Sequence, residues 1–151
     1  MEDVHRETLE EEATHAIDEA RMLLPGVQAL LGFQLVGVLN ARFADFPHVE
    51  QLLHLGATLL TALAMALLMT PAAYHRQVGR GVVTRRFVRV ASRLLTVALV
   101  PFATGIAIDL YLLARLIVRD QVASLAIGAA AWAMLAGLWY GLPHLIGSGR
   151  R

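Results

Sequence analysis

Four blocks of apolar residues, at 22–40, 52–74, 94–113 and 122–146, are separated by short polar stretches and preceded by an acidic one. The block 22–40 contains no charged residue and would extend about 28 Å as a helix, close to one hydrocarbon core. The other three have similar lengths, and no alternating strand pattern competes with them. The pattern predicts an all-α fold: a four-transmembrane-helix, up-down-up-down bundle with an N-terminal cytoplasmic amphipathic helix. In the acidic start, Leu9, Ala13, Ile17 (with Ala16) and Ala20 recur at helical spacing. Glu10, Glu11, Glu12, Asp18 and Glu19 fill the other faces, and Thr8 with Glu11 fits a capping box. The chain thus divides into an acidic cytoplasmic helix (1–21), a four-span membrane domain (22–146) and a basic tail (147–151).

Local signals refine this outline. Pro25 is expected in the first turn of span one, where its missing N–H does no harm. Gly26, Gly32 and Gly37 suggest close helix contacts along that span. Pro71 is expected to bend the inner end of span two, and Pro101 to kink span three. Thr84 is placed to cap the helix leading into span three. In span four, Ala129, Ala133, Gly137 and Gly141 fall at steps of four and form a helix-packing face of small residues. Trp139 and Tyr140 sit where an interfacial aromatic belt is expected.

Charge distribution orients the spans. The stretch 75–93 carries Arg76, Arg80, Arg85, Arg86, Arg89 and Arg93 and no acid, whereas eight of the twelve acids lie in residues 1–19. Arginine flanking spans is retained on the cytoplasmic side, so both termini and this loop are expected in the cytoplasm. The expected location is a bacterial cytoplasmic (inner) membrane. Composition agrees: 57% of residues are hydrophobic and mean hydropathy is +0.58, too apolar for an ordinary soluble domain. The first twenty residues have no basic start followed by an apolar core, so no signal peptide is expected. With no cysteine, disulfides, thiolate catalysis and Cys-ligated metal sites are excluded.

Three short stretches carry a resemblance: 26–33 (GVQALLGF), Arg42 with Phe43, and 70–76 (TPAAYHR). Over residues 15–115 the chain resembles a bacterial family of small four-helix integral membrane proteins catalogued as a domain of unknown function. That resemblance implies architecture and membrane residence and carries over no catalytic residue.

The candidate chemistry is sparse. Asp109 is the one ionisable side chain well inside a predicted span, and a charge there marks a functional site by default. It lies about 24 Å along a straight helix from Arg93, in the outer third of the membrane. His54 and Arg42 are expected at similar depth. A proton or cation site of Asp109 with His54 and one of Gln28 or Gln34 is one reading. The alternative is a structural pairing of Asp109 with Arg42 or Arg115, or an aspartate reaching the interface. Gln28 and Gln34 are six apart and cannot share a face. Arg76, Arg80, Arg85, Arg86, Arg89 and Arg93 are candidates for contact with anionic lipid or with the acidic helix; the other reading is a topology signal alone. Their spacing is not the every-third-residue array of a voltage sensor.

No metal motif, phosphate loop or nucleophile elbow is present, so no enzyme, metal or cofactor is expected. Nor is nucleic acid expected, since an arginine loop at a membrane does not make a reading surface. The residues leave two functions. The first is an oligomeric scaffold or accessory subunit, with the lipid bilayer, a second copy, and an anionic lipid or cytoplasmic protein as partners. The second is a small homo-oligomeric cation or proton channel or carrier using Asp109.

Overall fold

The computed structural model describes residues 8–40, 43–78 and 84–143. Arg42, Arg80 and the basic tail lie outside the described residues. Four helices follow in order: α1 (Leu9–Val38), α2 (His48–Val78), α3 (Arg85–Val118) and α4 (Gln121–Ala136), the last extended by a π-helical turn at Gly137–Gly141. No strand occurs among the described residues. All four helices are long and apolar enough to cross a membrane. Successive helices run antiparallel. Gln34 near the end of α1 meets His54 near the start of α2 and Asp109 near the end of α3. Gly128 early in α4 lies against Ala107 and Tyr111 late in α3.

The ends are capped as the sequence predicts. Thr8 accepts from the Glu11 amide while the Glu11 carboxylate accepts from the Thr8 amide, which satisfies two orphan donors of α1. The Thr84 hydroxyl accepts from the Phe87 amide at 3.2 Å. The α3–α4 turn is Arg119 and Asp120. Arg119 adopts left-handed backbone (φ 58°), and Asp120 caps α4 by accepting from the Ala123 amide at 2.7 Å.

α3 is the hub. It contacts each of the other three helices, and α4 packs chiefly on α3. The tightest crossing is α2 on α3. Ala57, Thr61 and Ala64 are wholly buried there, and a Cβ on Gly105 would stand 2.9 Å from Thr61 Oγ1. Gly128 plays the same part between α3 and α4, where a Cβ would come within 3.0 Å of the Ala107 carbonyl oxygen.

These two close approaches differ from those expected. A Cβ on Gly26, Gly32, Gly137 or Gly141 would meet nothing within 4 Å, and one on Gly37 would only touch the His54 ring. The small-residue face is therefore not the face by which α4 meets α3: Ala129, Ala133 and Gly137 are exposed and Gly141 is half-buried. The π-helical turn also takes Gly141 out of the step-of-four register, since each π turn holds an extra residue. Trp139 and Tyr140 are tied to α3. Tyr140 donates to the Thr96 carbonyl, and Trp139 stacks on Phe102 at 6.1 Å.

α1 is one continuous helix, so Pro25 lies in its interior rather than in a first turn. Its 30 residues reach about 45 Å, and the 34 of α3 about 51 Å, both longer than a hydrocarbon core of about 30 Å. The excess lies at the same end, where the acidic start of α1 and the arginine-bearing start of α3 pack together. Ala13, Ala16 and Ala20 share one apolar cluster with Leu68 of α2 and Phe87, Ala91 and Leu95 of α3. The narrow alanine stripe is thus a packing face.

Candidate functional site

At the other end of the bundle three polar side chains converge from three helices. Gln34 of α1 is 3% exposed and donates from Nε2 to Asp109 Oδ2 at 2.7 Å. His54 of α2 places Nδ1 3.6 Å from Asp109 Oδ1. Its other ring nitrogen, Nε2, lies 2.9 Å from the Gln34 carbonyl oxygen. A carbonyl oxygen only accepts, so Nε2 carries a hydrogen. That bond fixes the ring: in neutral His54 the lone pair of Nδ1 faces Asp109. A bare carboxylate and a lone pair repel each other across this gap. One proton relieves the repulsion from either side, as a protonated Asp109 or as a His54 imidazolium. Without a proton on either group the pair would carry a net charge of −1.

Local structure explains the convergence. Gln34 follows the buried line of α1 that includes Ala20 and Val27. Gly37, one turn further on, lies beside the His54 ring, whose atoms would be in ordinary contact, 3.9 Å, with a Cβ there. The loop after α1 is stapled by Gln51, whose amide donates to the carbonyls of Phe43 (3.3 Å) and Phe46 (3.1 Å). This lays the Phe43 ring edge-on to His54, centroids 5.3 Å apart.

A second polar pair stands nearby. Arg115 Nε donates to Glu50 Oε1 at 2.8 Å, with Glu50 8% exposed. Glu50 lies one helical turn before His54 on α2, so its negative charge is balanced before it can act on the Asp109–His54 pair. The alternative pairing of Asp109 with Arg115 is thereby corrected: the guanidinium is bonded to Glu50. Arg42 lies outside the described residues.

Between the two pairs is a cleft of about 300 Å³, bounded by Asn40, Phe43, Phe46, His54, Asp109 and Leu112, among others. Its walls are mainly apolar. Leu113 and Leu116 on its rim are 51% and 48% exposed, so it opens at the surface of the bundle.

The other candidates sit elsewhere. Gln28 is exposed on α1 and takes no part in this cluster, because the six-residue step from Gln34 turns it to another face. Arg76, Arg85, Arg86, Arg89 and Arg93 are exposed at the opposite end of the bundle. Arg85 and Arg89 line one cleft together with Glu12 of α1; Arg76 and Arg21 line another. Glu50 and Phe46 were not singled out from the sequence, and Phe43 entered only in the stretch that carries the resemblance. Glu50 had one available signal, its four-residue spacing from His54 at the start of an apolar span. Phe46 had none, and nothing tied Phe43 to His54, since a loop's fold is not written in a periodic pattern.

Among the described residues no group of three or more His, Cys, Asp or Glu is arranged to hold a metal ion. No curated protein matches the chain, and no solved structure does. A family description matches residues 2–143, well beyond the stretch that carried the resemblance. The chain belongs to that family, DUF6328, a family of unknown function.

Proposed function

We propose that this protein is a multi-pass membrane carrier or channel in which Asp109, His54 and Gln34 form a proton- or cation-exchange site. The observation that supports it is the identity of the partners of Asp109. Among the described residues they are a neutral amide and an imidazole, while Arg115 is bonded to Glu50. Among the described residues no permanent cation stands at the Asp109 carboxylate, which favours a proton as the balancing charge. On the residues alone the scaffold reading stands first, and the geometry of Asp109 reverses that order. A homo-oligomer in the inner membrane, with the Arg-rich end in the cytoplasm, fits this reading, because one chain with so few buried polar groups does not enclose a wet pore. No catalytic chemistry is assigned.

The test is flux of protons, sodium and potassium into liposomes holding the purified protein, beside Asp109→Asn, with the oligomeric state measured on the same sample. Flux that the substitution abolishes is the expected result. No flux of any of the three, by a stable oligomer, contradicts it.

A second reading, a scaffold or accessory subunit, is favoured by the paired ends of α1 and α3. They present exposed acids (Glu10, Glu11, Asp18, Glu19) beside exposed arginines (Arg85, Arg86, Arg89). That surface suits a cytoplasmic protein or anionic headgroups at about 1 kcal/mol per arginine. Charge reversal across residues 10–19 would disrupt assembly on this reading and leave it intact on the first.

A further inference from the structure

The cleft beside Asp109 is much larger than a bare ion needs. At about 300 Å³ it stands at the low end of pockets that take organic ligands, roughly 300–1,000 Å³. Its lining is also wrong for a hard inorganic cation, which asks for a shell of oxygen atoms. Of the two carboxylates facing the cleft, Glu50 is already bonded to Arg115, which leaves Asp109 alone. The same cleft is lined by two phenylalanines, Phe43 and Phe46, and by Leu112, Leu113 and Leu116. One negative charge, aromatic rings and aliphatic walls together describe a host for a weakly hydrated cation with an apolar body.

We propose that this cleft binds a small monovalent organic cation of the quaternary-ammonium class, in exchange for the proton held between Asp109 and His54. The inference rests on the proton-exchange reading above and names its substrate class. Charge decides the exchange. With its proton the Asp109–His54 pair is neutral, and the cation would bring an uncompensated charge into an apolar site. When the proton leaves, the pair is −1 and the incoming cation restores neutrality. No covalent bond changes; one proton goes out for one cation in. The groups facing Asp109 are His54 and the neutral pair Glu50–Arg115, with Gln34 of α1 not titrating; Arg42 lies outside the described residues. His54 therefore sets the proton competition. The rim residues Leu113 and Leu116 make the surface by which an apolar cation enters.

The experiment uses the full chain in nanodiscs of phosphatidylethanolamine and phosphatidylglycerol. Benzyltrimethylammonium is titrated by calorimetry in buffers of differing ionisation enthalpy, with its uncharged carbon isostere neopentylbenzene as the control. Saturable binding is expected for the cation only, with about one proton released per cation bound. Affinity should fall about tenfold per pH unit once the pair is protonated. Asp109→Asn should weaken binding roughly thirtyfold or more, and Phe43→Leu roughly three- to tenfold without changing the proton count. Equal binding of the isostere, no saturable binding by the wild type, or unchanged affinity across pH each overturn the inference. The isostere comparison needs no substitution, so a variant that fails to fold does not blunt the test. Asp109-dependent proton or sodium flux without benzyltrimethylammonium binding would sink this inference and leave the proton-exchange site standing. Saturable Asp109-dependent binding without flux of any kind would do the reverse.

Discussion

Glu50 and Arg115 show how costly isolated charges are in this bundle. Glu50 is 8% exposed and its carboxylate is matched by one guanidinium. Removing Arg115 would leave the Glu50 carboxylate shielded from solvent without its cation. Arg115→Ala is therefore expected to lower unfolding stability in mild detergent. The double replacement Glu50→Gln with Arg115→Gln should recover most of it. A double variant no better than Arg115→Ala would show that the pair matters through packing rather than charge. Asp109 is the contrast. Its intramembrane position was legible from a single carboxylate in a run of apolar residues, and His54 was legible from depth. The choice of Gln34 over Gln28 was not, because it depends on how α1 is rotated about its axis. That rotation is set by Ala13, Ala16, Ala20 and Val27 packing on α2 and α3.

Helix contacts reverse the emphasis that the glycine spacing suggested. The sequence draws the eye to Gly26, Gly32 and the stripe from Ala129 to Gly141, yet the backbones come closest at Gly105 and Gly128. A glycine in a helix has the same sequence signature whether it faces a neighbour or not; only the partner surface, Thr61 or Tyr111, distinguishes them. Gly105→Val is accordingly expected to destabilise the α2–α3 crossing by roughly 1–3 kcal/mol, through overpacking against Thr61 and the Ala57 carbonyl. Gly26→Ala should be neutral or slightly stabilising. Equal thermal stability of the two variants would contradict this assignment of close contacts. The N-terminal cap offers a pH test. Hydrogen bonds from the Thr8 backbone and side chain hold the Glu11 carboxyl below its ordinary value. Its contribution to the cap is then fully present above the ordinary glutamate value and lost as pH falls through the lowered one. Exchange protection of the Thr8 amide, followed by NMR into acid, should show that lowered midpoint. Glu11→Gln should remove it. A midpoint at or above that of an ordinary glutamate would refute the capping box as an ionic device.

At the scale of the whole molecule, the acidic and arginine-rich helix starts gather at one end and the Gln34–His54–Asp109 cluster lies at the other. The acidic start of α1 and the arginines of α3 meet beyond the apolar spans, through alanines that hydropathy alone would treat as filler. Four spans, their antiparallel order and the caps at Thr8 and Thr84 were readable because period, length and cap chemistry are local. The hub position of α3, the outward face of Ala133 and the loop that brings Phe43 to His54 depend on contacts between distant residues. No local pattern encodes those. The central claim is that Asp109 and His54 share one proton, with Nε2 of His54 committed to the Gln34 carbonyl. Nitrogen NMR of the protein labelled at His54 tests it most directly across a pH titration, beside Asp109→Asn. The account predicts that Nε2 stays protonated throughout, while Nδ1 titrates at a midpoint that moves when Asp109 is replaced. An unprotonated Nε2 at any pH, or a Nδ1 midpoint indifferent to Asp109→Asn, would contradict it.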